Sequence, residues 1–312
     1  MPRCECNDKV APVKYPWNDY SRRLSPLKLA VFICLFAPGA WVAFGLASGL
    51  FQPRPLNEAI HQIGLWVVRF LFIALAITPL KSILQWQRLI LVRRMVGVAA
   101  CVYVLIHFSL YIVDQAFDLE KVASEIVLRV YLTIGITALT GLCVLAATST
   151  DGMVRRLGRR WQKLHYLVYP IALLALVHYF MQSKLEVWEP TIFFGIYGWL
   201  MLYRLLAAKF AVRGRLPLYW VAALCPIATV LTALGETTYF RFAFPRVPSW
   251  RVFEANWSLV TGIRPAAIVF ALSLAVMLAG LSRSSFPSSR RRPGPMVRSS
   301  ERLTSGSRPS PG

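Results

Sequence analysis

Only four histidines occur in the 312 residues, and three of them, His107, His165 and His178, fall within long apolar stretches. An ionisable side chain in a lipid-facing segment is costly, so its default reading there is a functional one. Neutral imidazole is also the usual axial ligand of haem iron, and facing helices of a bundle can hold a porphyrin between them. His107 and His178 lie at a common depth in their stretches, which makes them the best pair of candidate iron ligands. His165 precedes His178 by 13 residues, a rise of about 20 Å along a helix, as two sites stacked across a bilayer would need. The azimuth fits less well: on an ideal wheel the two rings stand about 140° apart, and Pro170 lies between them, where it can bend the helix. Zinc is the weaker alternative, because no third or fourth ligand of the right type clusters with His107 and His178.

Two arginines and the fourth histidine complete the candidates. Arg69 lies about two turns inside an apolar stretch, where an unpaired guanidinium is expensive. It is expected to find an anion, such as a haem propionate, or to snorkel to the surface. His61 reads as an interfacial residue in a short connection, with a quinone or partner site as its alternative. Arg93 lies at the level of His165, where no second histidine is available.

These residues must be carried by membrane helices. Hydrophobic residues make up 56% of the chain and charged ones only 16%, well below the roughly 25% charged of an ordinary soluble domain. Eight stretches have the roughly 20 apolar residues that a crossing requires: 27–50, 63–83, 95–113, 131–149, 164–182, 191–208, 217–234 and 265–281. The fold class is therefore an all-α polytopic transmembrane bundle. Of the 35 lysines and arginines, 26 fall in alternate connections and 8 in the others, with Arg69 inside a span. The positive-inside rule then places both termini in the cytoplasm. The net charge of +21 is accounted for by orientation and by contact with anionic membrane lipid, so no nucleic acid is expected. Residues 1–26 are polar and basic, and no cleavable signal peptide is expected there.

Other chemistry is thin. Four of the six cysteines lie in apolar stretches as small hydrophobes, and Cys4 and Cys6 sit in the amino-terminal arm. No C-x-x-C-H occurs, which excludes covalent c-type haem, and no G-x-G-x-x-G marks a nucleotide site, so electrons must come from elsewhere. The connection 114–130 is acidic, whereas Arg155, Arg156, Arg159 and Arg160 form a basic belt on the opposite side. No convincing internal repeat is visible.

Several ordered motifs bear a resemblance. Gly64-Leu65-Trp66 with Arg69, Thr78-Pro79-Leu80, Arg93-Arg94-Met95-Val96-Gly97, His107-Phe108, Thr148-Ser149-Thr150-Asp151-Gly152 and Trp161-Gln162-Lys163-Leu164-His165 resemble the haem-binding membrane subunits of the bacterial periplasmic methionine sulfoxide reductase system. These belong to the ferric reductase-like transmembrane group, which includes the NADPH oxidases. The resemblance covers about 27–210. It implies a bacterial inner-membrane cytochrome b with one or two b haems, taking electrons from the quinone pool or a cytoplasmic flavin reductase. They would pass to a periplasmic molybdopterin-containing methionine sulfoxide reductase. In the oxidase-like pattern each ligand helix carries two histidines 13 or 14 apart; here Arg93 stands 14 before His107, and arginine is a poor iron ligand. The inner site therefore implies His165 with an unusual partner, a five-coordinate haem, or no haem. FMN is also implied by resemblance alone, with no residues here marking its site.

The expected organisation is a cytoplasmic arm over 1–26, a six-helix haem-binding core over 27–210, a two-helix extension over 211–282 and a disordered basic tail over 283–312. The competing readings are a stand-alone ferric or oxygen reductase-like cytochrome b and a transporter or scaffold without haem.

Overall fold

Each apolar stretch forms a helix because its backbone polar groups have no other partner in hydrocarbon. In a computed structural model, the structure describes residues 25–183, 186–258 and 262–285. Most of the amino-terminal arm and of the basic tail lies outside these residues. Among the described residues, eight helical segments are long and apolar enough to cross a membrane. The chain is a multi-pass, all-α membrane bundle. The crossings are α1 (Pro26–Ala47), α2 (Pro55–Ile83), α3 (Ile90–Asp114), then, after the short α4 (Leu119–Leu128), α5 (Val130–Ala147). Two short helices, α6 (Asp151–Leu157) and α7 (Arg159–His165), lead into α8 (Val168–Ser183), which is followed by α9 (Trp188–Phe210). The last segment comprises α10 (Leu218–Ala243), the short α11 (Ser249–Ala255) and α12 (Pro265–Ser285).

Helix α2 is the axis of the bundle. Its middle is largely apolar and buried, with Leu65, Val67, Val68, Phe70, Leu71 and Phe72 all enclosed, as a helix packed on most of its faces must be. It packs on α1, α3, α8 and α9. Contacts of α2 with α3, α3 with α5, α5 with α8 and α8 with α2 close a four-helix ring. The ring sets α3 and α8 diagonally opposite one another. Peripheral α1 shows Ile33, Phe36, Trp41 and Phe44 to the outside, as lipid contact requires.

Two element boundaries depart from the sequence reading. Helix α2 starts at Pro55, before the expected 63, because proline suits a first turn and Gln62 hydrogen-bonds Glu58 one turn back at 2.7 Å. His61 therefore lies on a helix and not in a connection. The span 164–182 is broken after His165, and α8 begins anew with Pro170 in its first turn. Proline offers no N–H to the Tyr166 carbonyl; the Tyr169 N–H takes that carbonyl instead at 3.1 Å, as a tighter turn.

Elsewhere side chains enter the backbone ladder beside prolines inside the spans. Pro79 leaves the Leu75 carbonyl in α2 without its donor; Arg204 of α9 donates Nη2 to it at 2.7 Å and Nη1 to the Leu200 carbonyl at 2.9 Å. In α1, the Tyr103 hydroxyl inserts beside Pro38. It accepts from the Gly39 N–H at 2.9 Å and donates to the Leu35 carbonyl at 2.7 Å, and Gly39 leaves the room it needs. Beyond α9, α10 runs past the expected end at 234 because Glu236 is buried and paired. Asn256 donates to it at 2.6 Å and Arg264 at 3.3 Å.

Replacing Arg204 with Met should strand the Leu75 carbonyl and cost about 1–3 kcal/mol. Adding Pro79→Ala returns an N–H to that carbonyl, so the double variant should recover most of the loss. Thermal unfolding in detergent reads both, and two independent, additive losses would sink this account of Arg204.

Candidate functional site

A cavity of about 330 Å³ opens inside the α2–α3–α5–α8 ring, and both His107 and His178 line it. That volume falls in the range of cofactor pockets. Its walls are largely apolar, built from Leu65, Val68, Val104, Leu139, Leu142 and Ala175. His61, Asn57, Tyr111, Tyr131, Tyr179 and Gln182 supply the polar lining.

The two imidazoles are held alike. His107 Nδ1 lies 2.9 Å from the Ile60 carbonyl of α2, and His178 Nδ1 lies 2.7 Å from the Tyr131 carbonyl of α5. A carbonyl only accepts, so Nδ1 is the protonated nitrogen of each ring, and Nε2 is left with its lone pair. No hydrogen bond engages either Nε2 among the described residues. Each acceptor carbonyl also belongs to a helix, one turn before a glycine. A Cβ on Gly64 would stand 2.9 Å from the His107 ring, and one on Gly135 2.9 Å from the His178 ring. Only glycine lets an imidazole reach the helix backbone at these points.

The halves are related by a constant register. Each histidine follows its glycine by 43 positions and its carbonyl partner by 47. The pair α2–α3 therefore repeats as α5–α8, a repeat that the sequence reading missed. The signal was the Ile-Gly step at 63–64 and 134–135, too short to stand out among apolar residues. The same register sets Arg94, not Arg93, against His165.

At the opposite end of the bundle, His165 does not reach the cavity. Its Nδ1 is 3.1 Å from the Trp161 carbonyl, its Nε2 is 3.2 Å from Ser149 Oγ, and its ring stacks on Trp161 at 3.9 Å between centroids. Both nitrogens are engaged. Arg94 pairs with Asp151. Arg93 lies within electrostatic range of His165, Tyr169 and Arg204, and among the described residues it has no hydrogen bond or ion pair.

Arg69 finds its anion within the protein. Its Nε and Nη2 both donate to Glu189 Oε1 of α9, at 3.0 and 2.8 Å, while its guanidinium lies 4.9 Å from the Trp66 ring. The anion that the sequence reading called for, with a haem propionate as one candidate, is here the carboxylate of Glu189, which sequence reasoning passed over. Glu189 sits in the first turn of α9, where an acidic side chain also suits the helix dipole. Tyr179, on the cavity wall, interacts with the same carboxylate.

Residues 61–176 match the family described as ferric reductase like transmembrane component. Curated relatives described as protein-methionine-sulfoxide reductase heme-binding subunit MsrQ are similar along most of their length. The relative from Rhodospirillum rubrum is 42% identical over 193 residues, covering 61% of this chain and 93% of the relative. That from Xanthomonas campestris pv. campestris (strain 8004) is 38% identical over 201 residues, covering 61% and 92%, and that from Caulobacter vibrioides 38% over 176 residues, covering 56% and 84%. No solved structure matches.

Removing Glu189 alone, as Glu189→Ala, should destabilise the protein by about 1–3 kcal/mol, less than the roughly 3–5 of a fully buried pair because each side chain is partly exposed. Arg69→Met in the same background should recover much of this, since the stranded charge is gone. Unfolding midpoints of the two single variants and the double variant provide the check; a double variant worse than either single would refute it.

Proposed function

This chain belongs to the MsrQ family of haem-binding subunits of protein-methionine-sulfoxide reductase, and from that premise we propose that it binds haem b between His107 and His178 and passes electrons across the membrane. One observation carries the reading. Two imidazoles, from diagonally opposed helices, line one apolar cavity, each with Nδ1 tied to a backbone carbonyl and Nε2 uncommitted.

The residues suit the group. The glycine cradles keep each ring against a helix backbone, the carbonyl bonds fix its tautomer, and most of the wall between the rings is apolar. Second partners of this kind orient a metal-bound histidine and raise its basicity. A bound haem supplies one-electron exchange between ferric and ferrous iron. Everything else falls to the chain: it holds two neutral donors in place, so that gain or loss of an electron requires little rearrangement around the metal.

The wider reading follows the family. The chain sits in a bacterial inner membrane with both termini in the cytoplasm, as the distribution of lysine and arginine supports. The cavity then lies toward the periplasm, where a molybdopterin-containing methionine sulfoxide reductase would receive the electrons and repair oxidised proteins. Quinol, or a cytoplasmic flavin reductase docking on the basic belt from Arg155 to Arg160, would donate them. FMN rests on the resemblance alone. A second haem at the basic end is favoured by Arg93, which stands beside His165 without an acidic partner among the described residues. To bind it, His165 would have to release Ser149.

Purified protein should show a reducible b-type absorption spectrum. His107→Ala or His178→Ala should each remove most of it, and Gly135→Ala should weaken it by displacing the ring. Haem-to-protein stoichiometry separates one site from two, and an unchanged spectrum in both alanine variants would eliminate this ligand pair.

A further inference from the structure

Above the cavity, a chain of polar contacts ties the two histidine-bearing halves together. Tyr111 lies one turn beyond His107 on α3, and its hydroxyl donates to Glu125 Oε2 of α4 at 2.7 Å. Arg129 Nη2 donates to the other oxygen, Glu125 Oε1, at 2.9 Å, and its Nη1 donates to the Tyr131 hydroxyl at 3.2 Å. Tyr131 is the residue whose backbone carbonyl holds His178. Tyr111 and Tyr131 both line the cavity. One carboxylate therefore links the helix of His107 to the residue that orients His178.

The helix carrying Glu125 is itself fastened. Asp118 caps α4 by accepting from the Lys121 N–H at 2.9 Å, and Thr133 of α5 donates to the Ile126 carbonyl at 2.6 Å. Ile126, the next residue, lines the cavity. The Glu125 side chain is 18% exposed, whereas that of Arg129 is 51% exposed. The anion is thus the inner partner of the pair, and its cation is the one that water screens. An ordinary surface i,i+4 pair would contribute little; here both carboxylate oxygens are used, and each leads to a wall of the same cavity.

We propose that Glu125 is a positioning residue for the iron site: through Tyr111 and through Arg129–Tyr131 it sets the placement of the two ligand helices, and its negative charge lowers the midpoint potential of iron held between His107 and His178. The inference rests on the haem reading above. An anion near the metal favours the ferric state, which carries one more positive charge, so losing it should raise the potential.

The test uses full-length, haem-loaded protein in detergent. Glu125→Gln keeps the shape and removes the charge, and the midpoint potential should rise. Tyr111→Phe deletes one hydroxyl, and the g values of the low-spin ferric signal in electron paramagnetic resonance should shift as the ligand planes relax, with a smaller change in potential. Fully loaded variants that match the parent in both potential and g values would overturn the proposal. If Glu125→Gln does not load, Glu125→Asp decides: it keeps the charge and shortens the reach, so a near-parental potential with altered g values supports the role, and parental g values overturn it. A parent chain without any b-type spectrum would overturn this proposal together with the reading beneath it; a normal parental spectrum with unresponsive variants overturns this proposal alone.

Discussion

The structure depends on what a helix carbonyl can do with its second lone pair. Within α2 and α5, the carbonyls of Ile60 and Tyr131 each serve the backbone ladder and still accept from an imidazole of the neighbouring helix. In an apolar setting this bond has no competitor from water, so it holds a ring more firmly than the same contact would at a wet surface. It also decides which nitrogen stays available. Because the bond consumes Nδ1, the ring must present Nε2, and because residue i+4 stands over that carbonyl, the position must be glycine. Histidine, carbonyl and glycine form one unit, and the unit occurs twice.

The same economy of lone pairs explains features remote from the cavity. A proline in a membrane helix frees a carbonyl four residues back, and neighbouring side chains can take it up or enter the ladder beside it. Arg204 repairs Leu75, and the Tyr103 hydroxyl bridges the ladder beside Pro38. Arg204 has no carboxylate among the described residues, yet it is not idle: carbonyls on two helices and the Tyr169 hydroxyl at 3.2 Å take its donors. Arg69, with the carboxylate of Glu189, shows the other solution. Both arginines join α9 to α2, one toward each end, and so brace the axis of the bundle, itself one wall of the site, from outside the ring.

The crossings were legible in the sequence because hydrophobic length is a one-dimensional property; all eight appear. Their ends were less so. α2 and α10 extend beyond their apolar stretches because Gln62 with Glu58, and Glu236 with Asn256 and Arg264, satisfy polar side chains that hydropathy alone reads as solvated. The pairing of His107 with His178 was inferred from depth, and the structure brings both rings to one cavity. Their carbonyl partners were not legible, since any residue has a carbonyl and only packing selects which is used. The break at 166–167, just ahead of Pro170, removes the question of azimuth between His165 and His178, because the two residues do not share a continuous helix.

The two halves share a register but not a chemistry at the basic end, and this difference gives the bundle a direction. Where the second half carries His165, the first carries Arg94, itself neutralised by Asp151. Arg93 beside it and Arg204 across from it have no carboxylate partner among the described residues. Positive charge without a paired carboxylate among the described residues thus gathers at one end of the ring, while Glu125 with Arg129 and Glu189 with Arg69 stand as ion pairs near the other. In a medium of low dielectric such fixed charges act over the depth of a helix. Fixed cations favour added negative charge, so a charge moving along the ring would meet a more favourable field at the basic end than at the other, where cation and anion are paired.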